Sequence, residues 1–355
     1  MGAEDKLTKF LSENKDKLSP LLILTHDYPD PDALASACAL QHLVERGFGV
    51  RSRIVYGGII GRSENREMVK ILRLPVYRLH TSDFDKFEHV ALVDTQPSFG
   101  NNSFPQKRKA TIVIDQHQAD TKPAADFSIV DSSAGATSVL LAQSLLASGL
   151  EIPNRLATAL VYGILSDTMN LYRASRSEIV ETYLTLLPRS DLKALTRIQN
   201  PERSRAFFAT LQRGIENAIL RRRLIVSHLG HVESPDLVAQ IADFLLSCKG
   251  VYWAFCTGRF GEHLHASLRV ANPSGMAAEI LRDIFSNRGQ AGGHGAIAGG
   301  KLRIGSHEDE HLWEGTEQLL AQRLAKRLRI PARSTFSYPF RKVPPPVAVA
   351  PEEEA

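Results

Sequence analysis

The sequence predicts an α/β fold, in which a mostly parallel sheet is covered by helices on both faces and a smaller α/β domain follows. Two observations support this prediction. Short runs rich in Val, Ile and Leu alternate with longer helical patterns as far as about residue 168, an order typical of a parallel sheet. After about residue 220, a second series of strand-like and helix-like segments begins.

The first series opens with a polar, amphipathic helical pattern at 4–18. The run LLILT at 21–25 is apolar throughout, as expected for a buried strand, and a helical pattern follows from Ala33 to about Arg46. The remaining strands of this series are rich in Val and Ile, and one of its helices ends at Gly149. These strands are predicted at 50–56, 89–94 and 110–115, and the helices at 64–72, 135–149 and 154–168.

Helices predominate from 154 to about 220, with breaks at Pro188 and Pro201. The second series has predicted strands at 221–230, 251–258 and 263–270 and predicted helices at 235–248, 273–285 and about 308–328. We therefore expect a catalytic domain at 1–195, a helical linker or hinge at 196–220 and a second domain at 221–330, with a cleft between the two domains. Residues 331–355 are Pro-rich with an acidic end, a composition typical of a disordered tail.

The composition is that of an ordinary globular protein of 355 residues, with 43% hydrophobic and 23% charged residues. The net charge of +4 is compatible with a phosphate-rich ligand. The three cysteines form no CxxC pair, which favours reduced thiols. The charged N-terminus lacks an apolar signal core, and no run of about 18 apolar residues occurs. We therefore expect a cytoplasmic protein that does not associate with membranes.

Potential metal ligands follow three predicted strands, and one further acid lies late in an apolar helix. These residues are His26, Asp30 and Asp32 after the first strand, Asp94 and Asp115 at the ends of two others, Gln116 and His117 directly after Asp115, and Asp167 in the helix. Ligands of parallel sheets bind beyond the carboxyl ends of the strands. Each acid alone could instead be a cap, a turn residue or a surface charge, and Asp32 could cap the helix from Ala33. Together they predict a site for two divalent metal ions.

The chemistry of such a site is hydrolytic, because two divalent ions can activate a shared water for in-line attack on phosphorus. Mixed His and Asp ligands favour manganese, and magnesium or another divalent ion is the alternative.

The ordered motifs resemble those of the DHH phosphoesterase family. They are HDYPDPDALAS (26–36), VDTQP (93–97), IDQHQ (114–118) and GILSDT (163–168), followed by SLRV (267–270) and the glycine-rich QAGGHGAIAGG (290–300). The last segment is similar to the GGGH motif of the DHH-associated C-terminal domain. The length is similar to that of the short members, namely nanoRNases, pAp phosphatases and cyclic-dinucleotide phosphodiesterases.

The resemblance implies roles for the matching residues. His26 and Asp30 would bind the first metal, Asp32 and Asp167 the second, and Asp94 both. Asp115 would orient its neighbours, and His117 would contact the scissile phosphate. One departure is clear, because Gln116 replaces a histidine that in the family binds the second metal. Gln116 could ligate through its oxygen, a water could replace it, or the second site could be weakly occupied.

The resemblance also implies substrate-binding residues in the second domain, namely Ser267, Arg269, Gly292, Gly293 and His294. From the residues alone, the glycines could form an anion-binding loop or a plain flexible loop, and Arg269 a phosphate clamp or a surface charge. The start of the helix near 135–138 could bind phosphate, or Thr137 or Ser138 could cap it.

The predicted function is that of a manganese-dependent phosphodiesterase or phosphatase, with two Mn²⁺ ions per chain. Its expected substrate is a short oligonucleotide or a small nucleotide, and a homodimer is compatible with the sequence. A polyphosphatase-like hydrolase and a nucleotide-binding module weakened in catalysis by Gln116 are the alternatives.

Overall fold

The computed structural model describes residues 3–119, 121–272, 275–285, 290–294, 296–305, 309–331 and 333–341. The chain divides into two compact units, Met1–Glu202 and Arg203–Ala355. Their boundary lies inside the segment predicted as a linker. None of the described helices has the length and apolar character needed to cross a bilayer. All three cysteines are free.

The first unit contains a parallel sheet of six strands in the order β3-β2-β1-β4-β5-β6. The strands are β1 Leu21–Thr25, β2 Ser52–Tyr56, β3 Val76–Arg78, β4 His89–Val93, β5 Ala110–Asp115 and β6 Ala125–Val130. The helices are α1 Ala3–Leu18, α2 Pro31–His42, α3 Ser63–Leu72, α4 Asp83–Lys86, α5 Thr137–Ala147, α6 Asn154–Asp167, α7 Ser177–Leu186 and α8 Leu192–Gln199. A π-helical turn at Leu43–Gly47 prolongs α2, and a 3₁₀ turn at Leu187–Arg189 follows α7.

Both faces of this sheet are buried. In β1, Leu21 and Ile23 belong to the larger core, which α1, α2, α5 and α6 also build, whereas Leu22 and Leu24 belong to a smaller core on the other face. Phe104 and the partly buried Phe84 of α4 contribute to the smaller core. The continuous apolar character of β1 therefore reflects burial on two sides, as is typical of parallel sheets.

The second unit contains a mixed sheet in the order β11-β12-β10-β9-β8-β7, in which only the β8–β9 pair is parallel. Its strands are β7 Ile219–Arg221, β8 Leu224–His231, β9 Trp253–Phe260, β10 His263–Val270, β11 Ala291–His294 and β12 Ile297–Arg303. Its helices are α9 Arg205–Glu216, α10 Asp236–Leu246, α11 Ala277–Ile284 and α12 Glu310–Arg327. Here too both faces are packed, since Phe255 and Cys256 of β9 lie in different cores. The predicted α/β fold class is confirmed.

The ordered chain continues beyond the limit of 330 predicted from the sequence. Ser337 exchanges two backbone hydrogen bonds with Leu220 of β7, at 2.9 and 3.0 Å. The Arg221 Nε also donates to the Ser334 carbonyl at 3.3 Å. The final segment thus pairs with β7, which has β8 on its other side. Residues 332 and 342–355 of the predicted disordered tail lie outside the described residues.

Candidate metal centre at the carboxyl edge of the first sheet

Three adjacent strands bring the predicted ligands to one edge of the first sheet. β1, β4 and β5 are neighbours, and all three run in the same direction. His26 follows β1 directly, Asp94 follows β4 directly, and Asp115 is the last residue of β5. The expectation that these side chains would lie near one another follows from this strand order, because the carboxyl ends of parallel neighbours meet at one edge.

His26, Asp30 and Asp94 form the first group of ligand-type atoms. The His26 Nε2 lies 3.5 Å from Asp94 Oδ2 and 3.8 Å from Asp30 Oδ1. The His26 Nδ1 donates to the Asp27 carbonyl at 2.9 Å, which leaves Nε2 of the neutral ring as a lone pair directed at two carboxylates. Such a lone pair requires a proton or a cation between it and the oxygens. Although burial lowers the pKa of His26, Asp30 and Asp94 raise it well above its usual value.

Asp94, Asp115 and His117 form a second group that shares Asp94 with the first. The His117 Nδ1 donates to Asp115 Oδ1 at 2.8 Å and lies 3.6 Å from Asp94 Oδ1. Burial lowers the pKa of His117, but the hydrogen bond with Asp115 and the charges of Asp94 and Asp115 outweigh this effect. Together they raise the pKa of His117 to about 9. Asp115 therefore holds the imidazole by Nδ1 in one orientation.

Gln96 holds Asp115 from the opposite side and was not among the predicted site residues. Its Nε2 donates to Asp115 Oδ2 at 2.8 Å and to the His117 carbonyl at 2.6 Å, and its side chain is fully buried. The only signal in the sequence was its position in VDTQP, two residues after Asp94. Gln96 and Asp115 together therefore position His117, in the manner of the outer hydrogen bonds that orient metal ligands.

Asp94 is buried at the centre of the site and has a left-handed backbone conformation, with φ of 59°. Its Oδ1 accepts from the Thr137 hydroxyl at 2.8 Å, while its Oδ2 faces His26. The same hydroxyl accepts from the Gln116 backbone amide at 3.2 Å. Thr137 was also missed as a site residue, because its contact with Asp94 joins distant parts of the chain.

Asp32 has a structural role that its position in the sequence did not reveal. Its two oxygens accept from the backbone amides of Thr137 and Ser138, at 2.7 and 2.8 Å. These are the first two residues of α5, so Asp32 caps this helix from another segment of the chain. The N-cap residue of α5 is Ala136, so the alternative of a cap by Thr137 or Ser138 was wrong. The two amides that the other alternative offered to a phosphate donate to Asp32 in the structure. The cap of α2 is Asp30, whose Oδ1 accepts from Ala33 at 3.0 Å, and not Asp32.

Asp167 is the last residue of α6, where its carboxylate contacts Gln116. The Gln116 Nε2 donates to Asp167 Oδ2 at 2.6 Å. The resemblance implied that Asp167 binds the second metal, and in the structure its carboxylate accepts from a neutral amide. In this arrangement Gln116 offers a donor toward Asp167, rather than an oxygen toward a cation.

The carboxylates of this edge share an environment that favours a cation. Burial raises the pKa of Asp32 and of Asp167 well above the usual range, and the neighbouring acids Asp94 and Asp30 raise both further. Burial also raises the pKa of Asp94. Carboxylates that repel one another in the interior are stabilised when a divalent ion binds between them.

The donor set fits a divalent ion at His26, Asp30 and Asp94. One ligand atom from each of these residues lies within 4.8 Å of the other two, which is close to the span of two opposite bonds of about 2.1 Å. One imidazole with two carboxylates suits manganese and similar ions.

Two of the residues predicted to bind substrate, Ser267 and Arg269 of β10, lie in the interior of the second unit. Arg269 is 5% exposed and donates through Nε to Asp243 at 2.5 Å and through Nη1 to the Ser267 hydroxyl at 2.7 Å. Its Nη1 also lies 3.2 Å from the Ala298 carbonyl. An anion would have to compete with these contacts, so Arg269 supports the packing of α10 and β12 on β10.

The glycine-rich segment forms the β11–β12 hairpin, whereas the sequence suggested a loop between helices. Gly293 of β11 pairs with Ala298 and has a φ of 144°. A Cβ at this position would lie 2.2 Å from the Ile297 carbonyl oxygen, so only glycine allows this close approach. Gly292 pairs with Gly299. The side chain of His294 lies outside the described part of the structure.

Comparisons with known proteins find relatives of this chain. Residues 20–164 match the DHH family, N-terminal domain. The uncharacterized protein MJ1633 of Methanocaldococcus jannaschii is 34% identical over 298 residues, which are 84% of this chain and 61% of that protein. A probable manganese-dependent inorganic pyrophosphatase of Streptococcus pyogenes is 26% identical over 162 residues, which are 43% of this chain and 50% of that protein.

A solved structure shares the fold over most of both chains. The exopolyphosphatase-related protein from Bacteroides fragilis superposes with a TM-score of 0.70 and 16% identity, over 92% of this chain and 97% of the other. The matched segments span about three fifths of the length of MJ1633 and half of the length of the pyrophosphatase.

Proposed function

We infer the function from the premise that the N-terminal domain of this chain, residues 20–164, belongs to the DHH family. We propose that the chain is a divalent-cation-dependent phosphoesterase that hydrolyses short oligonucleotides or small nucleotides, with manganese as the ion. The observation that carries the proposal is the cluster of His26, Asp30 and Asp94, whose ligand atoms converge at the sheet edge.

The roles of the residues follow from their contacts. His26, Asp30 and Asp94 would hold a divalent ion, which would supply Lewis-acid activation of a phosphoryl group and of an attacking water. Asp115, itself held by Gln96, fixes the His117 ring by Nδ1, so Nε2 is the nitrogen through which the ring meets a substrate. With a pKa of about 9 in the metal-free protein, His117 carries a proton at neutral pH. It can therefore donate to a phosphoryl or leaving-group oxygen.

Two exposed tyrosines beside the ligand-bearing segments support a substrate that carries a base. Tyr28 lies between His26 and Asp30 and is 65% exposed, and Tyr172 follows Asp167 and is 83% exposed. Aromatic rings of this kind stack on bases with about 1–3 kcal/mol per base. An inorganic substrate would make no use of them.

A substrate panel with manganese tests the proposal. The metal-free protein is reconstituted with Mn²⁺ and assayed on a dinucleotide, a cyclic dinucleotide, pAp, pyrophosphate and polyphosphate. We expect turnover of at least one nucleotide substrate, and a loss of at least 100-fold in Asp94→Asn, since removal of the ion removes the main source of activation. No turnover of any substrate, with intact nucleotide binding, would instead identify a binding module.

The Streptococcus pyogenes relative gives a second candidate function, because its name specifies an inorganic pyrophosphatase. The first unit would then act on phosphoanhydride bonds without contact to a base. Turnover restricted to pyrophosphate or polyphosphate, together with an unchanged KM in Tyr28→Ala, would favour this candidate over the first.

A further inference from the structure

The second cation position of this edge is the one assigned above to Asp32 and Asp167. The side-chain amide of Gln116 contacts Asp167 there. We propose that this chain holds a single divalent ion, at His26, Asp30 and Asp94, and that the Gln116 amide takes the place of a second ion beside Asp167. The inference rests on the proposed cation-dependent function and specifies the number of ions that serve it.

The contact between Gln116 and Asp167 decides the question. The Gln116 Nε2 donates to Asp167 Oδ2 over 2.6 Å, slightly less than the usual length of an N–H···O hydrogen bond. If the Gln116 amide were rotated by about 180°, its Oε1 would face Asp167 Oδ2 at this distance and the two oxygens would repel each other. Neighbouring ligands of one octahedral ion with bonds of about 2.1 Å lie about 3 Å apart. Gln116 therefore binds Asp167 as a hydrogen-bond donor and does not share an ion with it.

The two oxygens of Asp94, the residue predicted to bind both ions, also have different surroundings. Asp94 Oδ2 faces His26 at 3.5 Å, whereas Oδ1 accepts the Thr137 hydroxyl at 2.8 Å. An oxygen that already accepts a strong hydrogen bond is a weaker ligand, although it keeps a second lone pair. Asp94 therefore favours the ion on the His26 side.

The remaining acid of the second position, Asp32, has a partner of its own. Both of its oxygens accept backbone amides at the N-terminus of α5, where the helix dipole also favours a negative charge. The amide of Gln116 donates a hydrogen bond to Asp167, and the backbone amides at the start of α5 donate to Asp32. Each carboxylate of the second position is thus stabilised by polar groups of the chain.

The first cation position, at His26, Asp30 and Asp94, retains ligand atoms that face one another. His26 is held by its Nδ1 to the Asp27 carbonyl, and its Nε2 faces both Asp30 and Asp94. The described residues contain two clusters of acids and histidines, and neither includes Asp32 or Asp167. In the second cluster, the His117 Nδ1 is already used in its hydrogen bond to Asp115. Gln116 is thus the residue whose replacement would restore a second position.

Counting the bound ions tests the inference without an activity measurement. The full chain, freed of metal with a chelator, is titrated with Mn²⁺, and bound ions are counted by calorimetry and by the paramagnetic resonance signal of free Mn²⁺. We expect one ion per wild-type chain, with any second ion at least about 100-fold weaker. We expect two in Gln116→His, whose imidazole is a ligand for such ions. Gln199→His, the same change at the exposed end of α8, is the control and should bind one.

A second variant keeps the test decisive if Gln116→His fails to fold. Asp167→Asn should still bind one ion, because Asp167 does not hold it, whereas a two-ion centre would lose its second ion. Two ions of similar affinity in the wild type would overturn the inference, and so would a single ion in a folded Gln116→His. If the wild type binds two ions and hydrolyses nucleotides, only this inference fails, whereas a wild type that binds none contradicts the proposed function as well.

Discussion

Asp94 combines features that are each unfavourable for a folded chain without metal. It is buried, and its backbone is left-handed, a conformation that costs about 1 kcal/mol in residues other than glycine. Burial raises the pKa of Asp94, and the nearby carboxylate of Asp30 raises it further. Such costs are typical of ligand-binding residues, whose position is stabilised only when the ligand is present.

Replacement of Asp94 should therefore have opposite effects on the stability of the metal-free protein and on Mn²⁺ binding. We expect Asp94→Asn to raise the unfolding temperature of the metal-free protein, because asparagine tolerates the left-handed backbone and removes a buried charge. The same variant should lose the stabilisation that Mn²⁺ gives the wild type. Thermal unfolding with chelator and with Mn²⁺ measures both effects. Asp126→Asn, at a half-exposed aspartate that pairs with Lys109, should change neither.

Thr137 is the second residue whose role can be tested alone. Its hydroxyl donates to Asp94 and accepts from the Gln116 backbone. We expect Thr137→Val to weaken Mn²⁺ binding about 10- to 100-fold, because hydrogen bonds to metal ligands orient them. Thr137→Ser keeps the hydroxyl and should bind nearly as well as the wild type. Calorimetric titration with Mn²⁺ compares the three proteins, and equal affinities would refute this role of Thr137.

The sequence pattern was sufficient to find the residues that follow the strands. His26, Asp94 and Asp115 could be placed at one edge because parallel strands end there together. Thr137 and Gln96 could not, because their contacts with Asp94 and Asp115 depend on how α5 and the loop after β4 pack. Threonine is also common at helix starts and in turns, so its residue type did not distinguish Thr137.

Helix α5 begins without a cap of its own, since its N-cap residue is Ala136 and Asp32 supplies the acceptors instead. Helix α8 provides a local comparison, because Asp191 caps it from the adjacent position with two bonds of 3.0 Å. The two aspartates make equivalent contacts, but only Asp32 belongs to the metal edge.

Removal of the two caps should have different consequences. We expect Asp191→Ala to lower the free energy of unfolding by about 1 kcal/mol, a usual cost for a lost cap. Asp32→Ala should cost about 1–3 kcal/mol, because it leaves buried amides without acceptors. Urea unfolding of the metal-free proteins measures both. If a single ion is bound at His26, the more conservative Asp32→Asn should still bind one Mn²⁺, whereas loss of that ion would show that Asp32 is a ligand.

Strand β10 carries a histidine that should make the protein sensitive to mild acid. Burial lowers the pKa of His265 to about 4, with the charge of Lys301 and the neighbouring His263 contributing further. A histidine with a folded pKa below its unfolded value of 6.5 stabilises the fold above pH 6.5. This contribution is lost as the pH falls from about 6.5 toward 4, because the unfolded chain then binds more protons.

We therefore expect wild-type stability to fall more steeply between pH 6.5 and 4 than that of His265→Gln, which cannot titrate at this position. Chemical unfolding at several pH values measures the slopes. Gln199→Ala, which changes a residue of α8 that does not titrate, is the control and should keep the wild-type slope. Parallel slopes in the wild type and His265→Gln would contradict the assignment.

Long periodic elements were predicted well, and short or irregular ones were not. Strands β1, β4 and β5 and helix α6 lie close to their predicted bounds. Strand β3 has only three residues, and β6 lacks a continuous apolar pattern, so neither was recognised. The β11–β12 hairpin was missed because its glycines are disfavoured in strands in general, whereas here they are needed for close backbone approach.

The two units of the molecule each have a sheet packed on both faces, and the family match covers only the first of them. The division into two domains was predicted from the change in pattern after residue 220. The ends of the domains were less predictable, since the pairing of Ser337 with Leu220 joins residues distant in sequence.

The pairing of Ser337 with β7 also has a consequence for the newly made chain. An open strand edge is a template for pairing with other chains. The ribosome makes Ser337 roughly 120 residues after Leu220, which at about 5–20 residues per second leaves that edge without this partner for about 10 s. We expect a chain that ends at residue 330 to self-associate more than the full chain, as light scattering during refolding would show. We therefore expect the last segment to limit edge-to-edge aggregation once its pairing with β7 has formed.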